Sequence, residues 1–192
     1  DDRTDYEEKL QWTCDNIHFG EKALWEALIE FPSIQFGVEM AFQSLASENP
    51  FLLFPSSFTN GAKSIAINGL VWMGEETFMK QQIEEKLADG FRCIKLKIGA
   101  IDFDKELQLL RYIRQYFTPE QVEIRVDANG AFGSNEALYK LNQLSEFKLH
   151  SIEQPILKNN TDSMAELCKT TPFPIALDEE LIGVFTVTEK ED

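Results

Sequence analysis

The chain has 192 residues, 43% of them apolar, and its 18 basic against 33 acidic side chains leave a formal charge of −15. That balance repels nucleic acid and anionic lipid and makes cations the expected guests, while the apolar share suffices for a real core. Its longest apolar cluster, Phe51–Phe54 before Pro55, is far short of a membrane span, the acidic N-terminal stretch is unlike a secretory signal, and Cys14, Cys93 and Cys168 form neither a CxxC pair nor a disulfide framework, so a cytoplasmic setting is expected.

Residues 1–60 carry no strand pattern. Helical spacing runs from Tyr6 to Leu10 and from Glu21 to Ile29, and Pro32-Ser33 opens a helix to about Leu45 with Ile34, Val38, Ala41, Phe42 and Leu45 as its buried stripe. The proline-containing stretch Asn49–Gly61 reads as a linker. The first strand is expected at Lys63–Asn68, followed by a loop at Gly69–Gly74 and a helix over Glu75–Asp89 with Phe78, Ile83 and Leu87 apolar and Gly90 as its stop. In the second strand, Phe91–Gly99, side chains alternate: Ile94, Leu96 and Ile98 face one way, Lys95 and Lys97 the other. Asp102 caps a helix whose Phe103, Leu107, Leu110 and Ile113 recur at three or four residues. Strand three ends at Asp127, and Ser134 caps a helix with Leu138, Leu141 and Leu144 inward. Strand four ends at Glu153, a shorter helix covers Asp162–Lys169, strand five ends at Asp178, and Val184–Asp192 begins a further helix.

Five strand–helix units in succession indicate an α/β fold with a parallel sheet. The acids closing strands three to five stand 153 − 127 = 26 and 178 − 153 = 25 residues apart, the length of one strand, one helix and their loops. An open doubly wound sheet is the competing architecture. The bulky Asn68-Gly-Leu-Val-Trp72, where a glycine-rich phosphate loop is needed, disfavours it. The expectation is a partial (β/α)8 barrel of about five βα units over residues 61–192, preceded by helices and a linker over residues 1–60. In such a barrel reacting groups gather at the C-terminal strand ends.

Parity points Arg125 and Asp127, Ser151 and Glu153, and Ala176 and Asp178 into the interior if Ile124, Val126, Ile152 and Leu177 pack on the helices. Three carboxylates facing two lysines leave net negative charge in a site of low dielectric, and close carboxylates stay ionised only beside a cation. A hard divalent ion with oxygen ligands meets that need, Mg²⁺ being the natural candidate. Lys97 beside it, partly desolvated, is placed to act as a base near neutral pH. One acid at a strand end is ordinarily a turn or cap residue, and paired strand lysines are ordinarily a solvated edge. Matched positions on four consecutive strands are not explained that way.

Lys95-Leu-Lys97, Asp127-Ala-Asn129, Glu153-Gln-Pro155 and Asp178-Glu179 together resemble the enolase superfamily in its muconate-lactonising subgroup. The resemblance implies that Asp127, Glu153 and Asp178 ligate Mg²⁺, that Lys97 abstracts the proton α to a carboxylate, and that Lys95 supports it. Ile67–Gly74 and Phe36–Phe42 are most similar to the o-succinylbenzoate synthases of menaquinone biosynthesis. That implies a lyase acting on a small carboxylate, 2-succinyl-6-hydroxy-2,4-cyclohexadiene-1-carboxylate. A dipeptide epimerase, a muconate cycloisomerase and an inactive module retaining the metal site stay open as alternatives.

The chain departs from the family pattern in extent. The resemblance implies an α+β capping domain, whose C-terminal helices and linker are residues 1–60, then eight barrel units with a second lysine on the sixth strand; Lys190 comes too early to be that lysine. A five-stranded piece is therefore expected to leave the edges of strands one and five unpaired, to be oligomeric or poorly folded alone, and to be inactive by itself.

Overall fold

A computed structural model describes residues 3–184, which fall into two compact units, Asp1–Ile65 and Ala66–Asp192. In the first, helices α1 (Tyr6–Asp15), α2 (Glu21–Ala27) and α3 (Pro32–Ala46) surround Leu24, Leu28, Phe31, Ile34 and Val38. Gln35, also buried, donates its side-chain amide to the carbonyl of Trp25 and so ties α3 to α2. Leu45, expected in the buried stripe, is exposed.

The second unit alternates strand and helix: β1 (Gly69–Val71), α4 (Glu76–Ala88), β2 (Cys93–Lys97), α5 (Phe103–Tyr116), β3 (Glu123–Asp127), α6 (Ala137–Leu144), β4 (Ser151–Glu153), α7 (Thr161–Thr170) and β5 (Ile175–Ala176). Every neighbouring pair is parallel and the order is β1-β2-β3-β4-β5. A doubly wound sheet must reverse its order at a switch point. This one never does, so it is a partial barrel wall. Its core lies between the strands and the helices: Ile94, Leu96, Ile124, Val126 and Ile152 pack with Leu110 and Ile113 of α5 and Leu141 and Leu144 of α6. Each such fully buried aliphatic side chain is worth about 1.5–3 kcal/mol of transfer free energy.

Three expected boundaries and one buried helix face differ from the sequence reading. The first strand lies at Gly69–Val71 rather than Lys63–Asn68, because only there does the chain pair with β2, in the register Gly69↔Ile94 and Val71↔Leu96. A glycine is needed at its start, since a Cβ on Gly69 would press on Phe91 and Lys86 at 3.0–3.1 Å. On α4 the buried positions are Met79 and Ile83, whereas Phe78 is exposed. Helix α6 begins at Ala137 after Glu136, not behind Ser134: Glu136, just before the helix, accepts the Gly133 N–H and closes the turn there, and Ala137 rather than Leu138 faces the core. Strand β5 stops at Ala176, two residues before Asp178, and exposes Leu177, because the Asp178 N–H is taken by a side chain, as described below. The helix expected over Val184–Asp192 lies, from residue 185 on, outside the described residues.

Candidate active site

The parallel register places Lys97, Asp127 and Glu153 side by side in one row across β2, β3 and β4, with Ala176 of β5 next in that row. One step back along the strands, Lys95, Arg125 and Ser151 form a second row. Because Ile94 and Leu96 are drawn to the helix side, both lysines are forced onto the opposite face, where they are only partly exposed.

Asp127 is the centre of the cluster and is fully buried. Its Oδ2 accepts from Lys97 Nζ at 2.6 Å and lies 3.1 Å from Lys95 Nζ, while its Oδ1 accepts the Asn129 N–H at 3.1 Å. Lys95 also donates to Glu153 Oε2 at 2.5 Å, so one ammonium bridges the acids of two strands. Burial alone would raise the Asp127 carboxyl, but the hydrogen bonds from Lys97, Lys95 and the Asn129 amide hold it below the ordinary aspartate range. Burial likewise pulls Lys95 down, yet Glu153 and Asp127 prevail and its ammonium is held above the ordinary lysine value.

Around this quartet stand residues whose role the sequence pattern did not single out. Asn129 accepts from Lys97 at 2.8 Å and donates to Glu179 Oε1 at 2.9 Å. An ammonium has only donors and a carboxylate only acceptors, so that amide has one workable orientation. Trp72, just past β1, lays its ring 5.8 Å from Lys97 Nζ and is half exposed. Its backbone is gripped on both sides by Gln82 of α4, at 3.0 Å through N–H and 2.9 Å through C=O. Beyond Lys97, the buried Glu106 of α5 accepts the Gly99 N–H at 2.6 Å and anchors the loop after β2. Sequence offered only faint signals for these: polar residues directly after strand-end acids, and an apolar ring where a phosphate loop was absent.

Of the five expected site residues, the structure therefore gathers Lys95, Lys97, Asp127 and Glu153. Asp178 is on the turn past β5 and exposed. Among the described residues no group of three or more His, Cys, Asp or Glu side chains is assembled as a metal site. The donor chemistry nonetheless fits a hard cation: all-oxygen carboxylates from adjacent strands already share one positive charge, and a Glu179 carboxylate oxygen is buried without a hydrogen-bond partner. The described residues also include no helix long and apolar enough to cross a membrane, and Cys14, Cys93 and Cys168 are free thiols.

The chain is similar to known proteins over most of its length. The o-succinylbenzoate synthase of Desulfotalea psychrophila is 57% identical over 154 residues, which is 80% of this chain and 42% of that protein. The crystal structure of MenC from Desulfotalea psychrophila LSv54 superposes with a TM-score of 0.73 at 54% identity, over 81% of this chain and 43% of that one. The o-succinylbenzoate synthase of Thermosynechococcus elongatus BP-1, complexed with Mg in its active site, shares the fold at a TM-score of 0.59 and 22% identity, over 72% of this chain and 41% of that one. The chain spans less than half the length of these relatives. Residues 78–189, more than half of the chain, match the enolase C-terminal domain-like family, and the chain belongs to it.

Proposed function

We propose that this chain carries the proton-abstracting half of an o-succinylbenzoate synthase, a Mg²⁺-dependent lyase that dehydrates 2-succinyl-6-hydroxy-2,4-cyclohexadiene-1-carboxylate. The observation that carries the reading is the row of Lys97, Asp127 and Glu153 with Lys95 bridging the two acids. The 57% identity to an enzyme of that name supports the choice of substrate.

In this reading Lys97 Nζ, held between Asp127 and Asn129, takes the proton α to the substrate carboxylate once in its amine form. The C–H electron pair enters the carboxylate as an enediolate, then returns to form the new ring double bond as the hydroxyl departs. Lys97 hands its proton to that hydroxyl, which leaves as water. Lys95 keeps Asp127 and Glu153 ionised and in place, and the face of Trp72 offers an apolar wall beside Lys97. Asp127, Glu153 and Asp178 are the residues that would hold Mg²⁺, which would supply positive charge to offset the negative charge that builds on the substrate carboxylate as the proton leaves.

The test is turnover of that substrate by the whole protein that carries this chain, with and without Lys97→Ala. Loss of at least about a thousandfold in kcat with Mn²⁺ affinity retained supports the reading. Turnover that survives Lys97→Ala, or none in the wild type, overturns it.

A further inference from the structure

Gln154 follows Glu153 at the end of β4 and is fully buried, one of a handful of buried polar side chains. Its φ of +39° places it in the left-handed region, which glutamine enters at a cost. A buried residue kept in a costly backbone state needs something to hold it there.

Its contacts supply that. The backbone N–H continues the ladder to Ala176 O at 2.9 Å, and the backbone carbonyl accepts Gly130 N–H at 2.7 Å. The side-chain Oε1 accepts the N–H of Asp178 at 3.1 Å and of Glu180 at 3.3 Å. Nε2 donates to Ile156 O at 3.0 Å and to Glu180 Oε2 at 3.2 Å. Both lone pairs of Oε1 and both protons of Nε2 are thus committed. The Glu180 carboxylate then reaches onward to Asn159 N–H at 3.2 Å. The left-handed turn is what swings the Gln154 amide off the β4 ladder and under the segment that leaves β5.

We infer that Gln154 is a positioning residue that fixes the segment Asp178–Glu180 relative to the ends of β3 and β4. The amide of Gln154 takes the Asp178 N–H where the β4–β5 ladder would otherwise continue, ends β5 at Ala176, and sets where the carboxylates of Asp178 and Glu179 emerge. The link from this clamp to cation binding rests on the reading of Asp178 as a Mg²⁺ donor; the clamp itself does not.

The experiment compares wild type, Gln154→Leu and Gln154→Glu by amide hydrogen exchange and by Mn²⁺ binding followed by electron paramagnetic resonance. Gln154→Leu removes the acceptor for both amides and is expected to lose at least tenfold protection at Asp178 and Glu180, with Ile124 and Val126 unchanged, and to bind Mn²⁺ at least tenfold more weakly. Gln154→Glu keeps the acceptor but turns a carboxylate on Glu180. It is expected to protect Asp178 as the wild type does while binding Mn²⁺ at least threefold more weakly, and it carries the comparison if Gln154→Leu does not fold. Unchanged exchange at Asp178 and Glu180 in Gln154→Leu overturns the clamp, and wild-type Mn²⁺ affinity in Gln154→Glu overturns its link to cation binding. Wild type that binds no Mn²⁺ overturns the metal reading and its link to Gln154, with the exchange result still deciding the clamp.

Discussion

Replacing Asp127 with asparagine tests the centre of the site, because the change is isosteric and removes only charge and acceptor capacity. Asp127 Oδ2 faces two ammonium groups and Oδ1 faces the Asn129 N–H, so all its neighbours are donors. Whichever way the new amide is turned, its NH₂ meets a donor. Each charge-assisted hydrogen bond of this kind contributes about 1.5–3 kcal/mol. Lys97 and Lys95 side chains are 14% and 20% exposed, so both recover some hydration, and Lys95 keeps Glu153. The net loss is therefore about 3 kcal/mol, at the low end for breaking a buried pair. In urea, with a slope of about 2 kcal/mol per molar, the midpoint falls by about 1.5 M. The pH dependence has a definite sign. The folded-state carboxyl is held below its ordinary value of about 3.9, so its stabilisation is fully present above that value and is lost as pH falls through the lower folded value. The gap between wild type and Asp127→Asn should accordingly be constant at neutral pH and close in acid. A gap under about 1 kcal/mol at neutral pH, or one that persists undiminished once the carboxyl is protonated, refutes the argument.

The companion change is Lys95→Met. The Lys95 ammonium is raised above the ordinary lysine value of about 10.4, so its stabilisation is complete below that value and disappears as pH rises through the folded one. Urea unfolding of wild type and Lys95→Met should differ at neutral pH and converge only in strong base; convergence below about pH 9 would contradict the pairing. Gly99 has φ +91°, and a Cβ there would overlap that of Ala131 and touch the Ala128 carbonyl at 3.4 Å. Gly99→Ala should cost about 1–2 kcal/mol for the backbone and about 1–3 kcal/mol for the overlap. Adding Ala131→Gly should restore only the second part, and a double-mutant cycle with no coupling would show that the loops after β2 and β3 do not pack as described.

The alternation in Cys93–Lys97 was legible because one face is consumed entirely by the helix-side core, so parity alone put Lys95 and Lys97 on the other. Asp127 and Glu153 were legible for the same reason, each being one residue beyond a buried Val126 or Ile152. What could not be read was anything set by contacts between loops. Strand one was placed too early because Ile65 and Ile67 have strand-like character, yet both are exposed and only Gly69–Val71 reaches β2. Strand five was drawn too long because Leu177 and Asp178 continue the alternation. There the amide of Gln154, a residue 24 positions earlier, takes the hydrogen bond that the ladder would have used. Local pattern carries no information about such a distant competitor.

Charge explains why the site uses two lysines. Asp127 and Glu153 lie in one row of a parallel sheet, and two adjacent carboxylates, one fully buried, stay ionised only if each negative charge is matched nearby. Lys97 in the same row matches Asp127, but it lies a strand too far for Glu153, two rungs across the sheet. Lys95, one step back, reaches diagonally and bridges both acids. The quartet is thereby neutral as it stands.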